Sequence, residues 1–204
     1  MCETTFNFAN NKGTVLSLSD DKDILSNTGS TVFKAGSAIR SFYIVDWAGV
    51  NPVTGFNQYR AADGKLVDFN TNRTNSNTAE INNLRQVINK TSIPKYYGGL
   101  TNTFKYKNVD MSFLISYAAG HYVLNDGVYN LYNNPAFNQH VNVANAWKNP
   151  GDQSDLAIRQ VYLVRPTASM VSDYKASSQF LENASYIKLK NIMAINLVLQ
   201  KQLI

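Results

Sequence analysis

Apolar and polar residues alternate with a period of two along much of this chain, the pattern of extended strands with one greasy and one wet face. In residues 109–117, VDMSFLISY, every odd position is apolar, while Asp110, Ser112 and Ser116 hold the even ones and Leu114 is the exception. Just upstream, Leu100, Phe104 and Tyr106 alternate with Thr101, Thr103 and Lys105, and the Lys107-Asn108 junction predicts a tight hairpin. Phe6 and Phe8 alternate with Thr5 and Asn7. A turn is expected at Asn10-Asn11-Lys12-Gly13, and then Leu16 and Leu18 alternate with Ser17 and Ser19. Ile39, Tyr43, Val45 and Trp47 share one face of a third region, opposite Arg40 and Asp46. Near the end, Ile187 and Leu189 oppose Lys188 and Lys190, and Ile195, Leu197 and Leu199 oppose Asn196 and Gln200. Runs of about 8–11 residues suit a tilted strand crossing a bilayer.

Long polar stretches, residues 61–77 and 125–159, separate these runs. Loops of that length are uncommon in a compact domain unless they are functional. Short turns on one side and long loops on the other are the habit of outer-membrane barrels. Ile81, Leu84, Val87 and Ile88 fall at helical spacing behind a possible Asn77/Glu80 cap, although the same residues also suit a loop leading into the next strand. A soluble β-sandwich, such as an extracellular carbohydrate-binding domain, also alternates apolar and polar residues. Strand length, aromatic load and loop asymmetry favour the other solution: an all-β chain forming a partial antiparallel transmembrane β-barrel.

Composition sharpens that choice. Charged residues make up only 16% of the 204 residues and aromatics 12%, carried mostly by 12 Tyr and 10 Phe, and the amphipathic ring of Tyr suits an apolar–water boundary. The net charge of +5 is spread without a basic run, which argues against nucleic acid as a partner. Cys2 is the single cysteine, so an internal disulfide and a thiolate metal cluster are excluded, and no apolar leader precedes it. No apolar stretch approaches the ~20 residues of a spanning helix, so a membrane protein here must be built from strands.

Catalytic chemistry finds no footing. His121 and His140 lie in or beside polar loop sequence, outside metal-ligand spacings, and the Asp20, Asp21, Asp23 run lacks the Gly and distal Glu of a calcium loop. Asp152 and Asp155 are close in sequence but are not placed across a substrate, and no nucleophile elbow or phosphate loop occurs. The chain reads as a non-enzyme with no cofactor, metal or catalytic residue. Trp147, Tyr129 and Tyr132, set among many Asn side chains, suit sugar stacking and hydrogen bonding, and equally suit an interfacial girdle or loop packing.

Four segments, DWAGVNPVTG (residues 46–55), IPKYYGGLTNTF (93–104), WKNPGD (147–152) and FLENASYIKLKNI (180–192), together resemble one family, the SusC/RagA TonB-linked outer-membrane receptors. Residues 46–55, DWAGVNPVTG, with Gln58-Tyr59 and Asp63-Gly64, are similar to its W-A-G-V-[DN]-P-x-T-G stretch. Residues 93–104, IPKYYGGLTNTF, resemble P-K-Y-Y-G-G-L-x-N-T-F; residues 147–152, WKNPGD, resemble W-x-N-P-G-D; and residues 180–192, FLENASYIKLKNI, resemble F-[LV]-E-[ND]-A-S-Y-[IL]-[RK]-L-[RK]-N-[IV]. Phe6-Asn7-Phe8 with Asn11-Lys12 is similar to an upstream strand and turn. The motifs keep the family order over nearly the whole chain. Trp47, Gly49, Pro52, Gly55, Pro94, Tyr97, Gly98, Gly99, Asn149, Pro150, Gly151, Asp152 and Tyr186 are its candidate structural residues. The glycines suit strand exits and bends, and the prolines suit strand ends.

The resemblance implies that residues 1–204 are a fragment of a receptor β-barrel domain in the cell outer membrane. It further implies partners: the remaining barrel and plug, a SusD-like surface lipoprotein, the TonB complex acting through the plug, outer-membrane lipid, and a glycan or peptide substrate. A signal peptide, plug and TonB-contacting segment are not visible, and the match decays after Asn191, where Met193-Ala194-Ile195-Asn196-Leu197 replaces the family continuation. A frameshift, a truncated frame or a fragmentary gene each accounts for that. The expectation is a chain inactive alone, with Val109, Met111, Phe113 and Ile115 facing outward.

Overall fold

The structure is a computed structural model that describes residues 1–69, 77–133, 138–159 and 173–196. Its strands are β1 (Cys2–Asn10), β2 (Ile24–Leu25), β3 (Thr31–Phe33), β4 (Ser41–Ile44), β5 (Asp46–Val50), β6 (Asn57–Arg60), β7 (Leu66–Asp68), β8 (Gln86–Thr91), β9 (Tyr96–Tyr106), β10 (Val109–Ala119), β11 (Tyr122–Leu124), β12 (Leu181–Asn183) and β13 (Tyr186–Asn196). Two helices, α1 (Thr78–Asn83) and α2 (Asp126–Asn133), interrupt them. The chain divides into two units: one of Met1–Gly13, Thr91–Tyr122 and the segment from Asn183, the other of Thr14–Lys90 and Val123–Glu182.

The first unit is an antiparallel sheet in the order β1-β9-β10-β13. Its strands are 9 or 11 residues long. β9 and β10 form the expected two-residue hairpin, with Tyr106 opposite Val109 and Lys107 at φ 53°. Register puts Phe6, Leu100, Ile115 and Leu189 on one rung and Phe8, Gly98, Tyr117 and Ile187 on the next, so one face carries the apolar set. Val109, Met111, Phe113 and Ile115 all lie on it. That face is not sealed: Phe6 is 63%, Leu189 58% and Ile187 79% exposed. One polar pair on it, Asn102 opposite Thr4, is satisfied internally by an Asn102 Nδ2 to Thr4 Oγ1 hydrogen bond of 2.8 Å. The opposite face presents Asn7, Gly99, Ser116 and Lys188 on one rung and Thr5, Thr101, Leu114 and Lys190 on another.

Two glycines of the Tyr97-Gly98-Gly99 segment are required by close approach. A Cβ on Gly98 would run into the Asn7 carbonyl oxygen and stand 2.7 Å from the Tyr117 hydroxyl, whose ring covers this position across the strands. A Cβ on Gly99 would come within 3.2 Å of the Ile115 carbonyl oxygen. In β13 a bulge falls between Lys190 and Met193, with Asn191 at φ 49°. The expected alternation of Ile195 with Asn196 holds within its own segment, but its phase against Ile187 and Leu189 changes. The extra residue inverts the phase, so Met193 and Ile195 lie opposite Ser112 and Asp110 on the polar face. Leu197, Leu199 and Gln200 lie outside the described residues.

The second unit has the sheets β2-β3-β4-β8 and β5-β6-β7, and β11 pairs with β12. Its core is Val45, Tyr59, Phe69 and Ile81, with Trp47, Val67, Leu84 and Tyr174 packed against it. Strands of two to six residues here are too short to span a bilayer, which corrects the reading of residues 39–47 as one long alternating run. Arg40 turns at φ 55°, and both Ile44 and Val45 are buried. Leu16 and Leu18 form no strand: Leu16 is exposed, and Val15 satisfies its backbone through Ser37 and Gly36. The helical spacing from Ile81 to Ile88 resolves into two elements. α1 stops at Asn83, while Val87 and the β-branched Ile88 enter β8, where side chains branched at Cβ pack well. The stretch 125–159 is not irregular throughout, since it holds α2 and a 3₁₀ turn at Val141–Asn145.

Candidate functional site

Two family-like motifs, about a hundred residues apart in sequence, build one loop scaffold in the second unit. Asn51 Oδ1 accepts from the Val53 and Thr54 amides at 2.9 and 3.3 Å, closing an Asx turn after Val50, and Gly55 at φ 73° completes it. Gly49, at φ 117°, sits at a bulge between β5 and β6. Against Gly55 lies the indole of Trp147, so close that a Cβ there would enter the ring. Trp147 Nε1 donates to the Pro52 carbonyl at 3.0 Å, and the Gly151 amide donates to that same oxygen at 2.8 Å. Asp152 Oδ2 accepts from the Lys148 and Asn149 amides at 3.1 and 2.9 Å, shaping the turn through Pro150 and Gly151.

Trp147 therefore serves loop packing. With 7% of its surface exposed, its ring presents no stacking platform in this chain. Tyr129 packs its ring edge-on to Phe180 at 5.4 Å. Tyr132 differs. Together with Trp47 it lines a concavity of about 660 Å³ whose polar wall is Asn142, Asn145, Gln153, Asp155 and Gln179. Sequence reading placed Trp47 among structural residues and left Trp147 between a stacking platform and loop packing; in the structure Trp147 packs the loop and Trp47 lines the pocket.

Behind this pocket stands a fully buried carboxylate, Asp173, that sequence reading missed. Its oxygens accept from Asn57 Nδ2 at 2.7 Å, Asn133 Nδ2 at 2.8 Å and Arg159 Nη1 at 2.8 Å. Asn57 Oδ1 in turn accepts from Trp47 Nε1 at 2.8 Å, and the Arg159 guanidinium lies 5.9 Å from the Tyr132 ring centre. Both pocket aromatics are thus tied to one anionic hub. The nearby Tyr59 hydroxyl is pushed well above the ordinary tyrosine value, first by burial and then by the Asp173 charge. No spacing rule singles out a lone Asp before a Tyr; only the fold brings its donors together.

His140 Nδ1 accepts from the Asn142 amide at 3.2 Å, and its ring meets Tyr132 at 5.6 Å. In the first unit, Pro94, Tyr97, Gly98 and Tyr186 line a groove on the sheet. Among the described residues, no group of three or more His, Cys, Asp or Glu is placed to hold a metal ion. The second-unit pocket, two aromatic faces ringed by amides, is chemically suited to holding neutral polar surfaces such as sugar rings or peptide backbone.

No protein-family model matches the chain. It is 26% identical over 205 residues to TonB-dependent receptor P3 of Formosa agariphila, an alignment taking in 93% of this chain and 19% of that receptor. The structure of the RagAB peptide transporter matches with a TM-score of 0.71 at 20% identity, covering 94% of this chain and 20% of that one. The RagAB peptide importer in its closed-closed state matches with a TM-score of 0.64 at 24% identity, again over 94% and 20%. The chain has the fold of part of that structure, with its sheets not closed into a barrel. It spans about a fifth of the length of the relatives it matches.

Proposed function

We propose that residues 1–204 form part of the barrel wall and outer loops of an outer-membrane, TonB-dependent nutrient transporter. The observation that carries this reading is the four-stranded sheet whose apolar residues before the bulge, Phe6, Val109, Met111, Ile187 and Leu189 among them, share one exposed face. A soluble sandwich would clasp Phe6, Ile187 and Leu189 in a sealed core, and here they stand open. An eleven-residue strand is about 35 Å long and, tilted by about 40°, spans about 27 Å, close to the ~25 Å apolar band of such barrels. The apolar face meets lipid, and the polar face meets the lumen.

In this reading the rest of the barrel completes the wall and a plug fills it. The TonB complex acts through that plug, and a SusD-like lipoprotein covers the outer loops. The cargo is a glycan or a peptide. The chain's role is non-catalytic: Trp47 and Tyr132 offer stacking faces, and the surrounding amides offer hydrogen bonds, to the cargo or to the cap.

Single cysteines placed along β13 in a Cys2→Ser background, labelled with a fluorophore and reconstituted with spin-labelled lipids, test the orientation. Labels at positions 187 and 189 should be quenched by the lipid chains, and labels at 188 and 190 should not. Equal quenching at all four positions would refute the reading.

A further inference from the structure

We infer that the polar face of the four-stranded sheet carries a carboxylate-binding groove, in which Lys190 and Ser116 receive an acidic group of the transported cargo. The inference rests on the reading of that face as a lumen wall. The groove measures about 710 Å³, the size of a small-ligand site. Ala118 lies between Tyr97 and Tyr186 on one rung of the groove's floor, and Ser116 lies on the next rung of the same face. The two tyrosines rise on either side of Ala118 and suit a planar body, such as a sugar ring or a peptide unit, held between them.

Two independent features give the groove its charge preference. The Ser116 hydroxyl is enclosed without a hydrogen-bond partner, a state that costs free energy until an acceptor arrives. Lys190 stands diagonal to Ser116, within reach of a long side chain, and faces the apolar Leu114 directly across. Of the lysines on this face, Lys105 is paired with Asp110 at 3.4 Å, and Lys188 rests its ammonium 4.5 Å from the centre of the Tyr186 ring. Lys190 has neither kind of partner among the described residues, and no Asp or Glu lines the groove. A carboxylate placed there accepts from the Lys190 ammonium and the Ser116 hydroxyl, two charge-assisted hydrogen bonds. The source is a uronic acid of an acidic glycan or an acidic residue of a peptide.

The chain refolded in detergent is titrated by calorimetry with tri-aspartate and with trigalacturonate, each beside its neutral counterpart, tri-asparagine and the methyl ester. One acid should bind in a salt-sensitive way while its neutral counterpart does not, and that acid names the source. K190Q should lose about tenfold in affinity, the loss of one charge-assisted bond, with S116A also weakened and K190R and K188Q near wild type. Equal binding of acid and neutral forms, no binding of either acid, or unchanged affinity in K190Q would overturn the inference. The lipid-quenching pattern on the same preparation separates the two readings. If quenching alternates and neither acid binds, the groove falls and the transporter reading stands. If quenching does not alternate, the transporter reading falls and the groove as a cargo site falls with it.

Discussion

Gly98 and Tyr59 show how single positions set the tolerances of the two units. Gly98 lies under the Tyr117 ring and against the Asn7 carbonyl, so a methyl group must displace backbone and not merely a flexible side-chain tip. Gly98→Ala is expected to destabilise the detergent-folded sheet by about 2 kcal/mol, read as a lower urea midpoint at unchanged slope. Tyr59 is fully buried in the loop core, where its hydroxyl accepts from the Tyr174 amide at 2.9 Å. Because its folded-state pKa is raised, the unfolded chain ionises first as pH climbs past about 10, the usual tyrosine range. The contribution of Tyr59 is thus complete below that pH and is lost as pH rises above it. Tyr174 is shifted in the same direction by burial. Alkaline titration followed by Trp47 and Trp147 fluorescence should show this loss, and Tyr59→Phe should make it shallower.

At the scale of elements, alternation was readable wherever one face of a strand is wet and the other is not. The hairpin at Lys107-Asn108 and the apolar set Val109, Met111, Phe113, Ile115 followed from it directly. It failed where strands are short and packed on both sides, as at Ile44-Val45, and where a helix and a strand together mimic one helical stripe, as from Ile81 to Ile88. The pocket was legible in part: Tyr132 stood out as an aromatic among amides, but the donors around Asp173 and the place of Trp47 beside Tyr132 depend on long-range contacts. The bulge at Asn191 also escaped pattern reading, and it falls where the family-like sequence ends. Asn tolerates the left-handed backbone there; a β-branched residue does not. Asn191→Val should drive the strand to a regular ladder that moves position 193 to the apolar face. In a Cys2→Ser, Met193→Cys background, reaction with a water-soluble thiol reagent should slow markedly, while Asn191→Gly should leave it unchanged.

Taken whole, the chain presents an apolar sheet face to its surroundings, and β1 and β13 are the outer strands of that sheet among the described residues. Unpaired backbone groups on such edges cost several kcal/mol each in hydrocarbon and invite further strand pairing in water. Expressed alone, the chain should aggregate in plain buffer and become monodisperse only in detergent, as sedimentation velocity would record; a clean monomer without detergent would contradict this. The sheet also closes each of its long excursions at a ladder rung. The Asn11 amide donates to the Lys95 carbonyl at 2.8 Å, and the Ala184 amide donates to the His121 carbonyl at 3.0 Å. Each insertion leaves and rejoins the wall at adjoining residues, like a drawer on a fixed rail. The length of each excursion can therefore change while the rungs beneath it keep their register, because the closing hydrogen bond lies at its base.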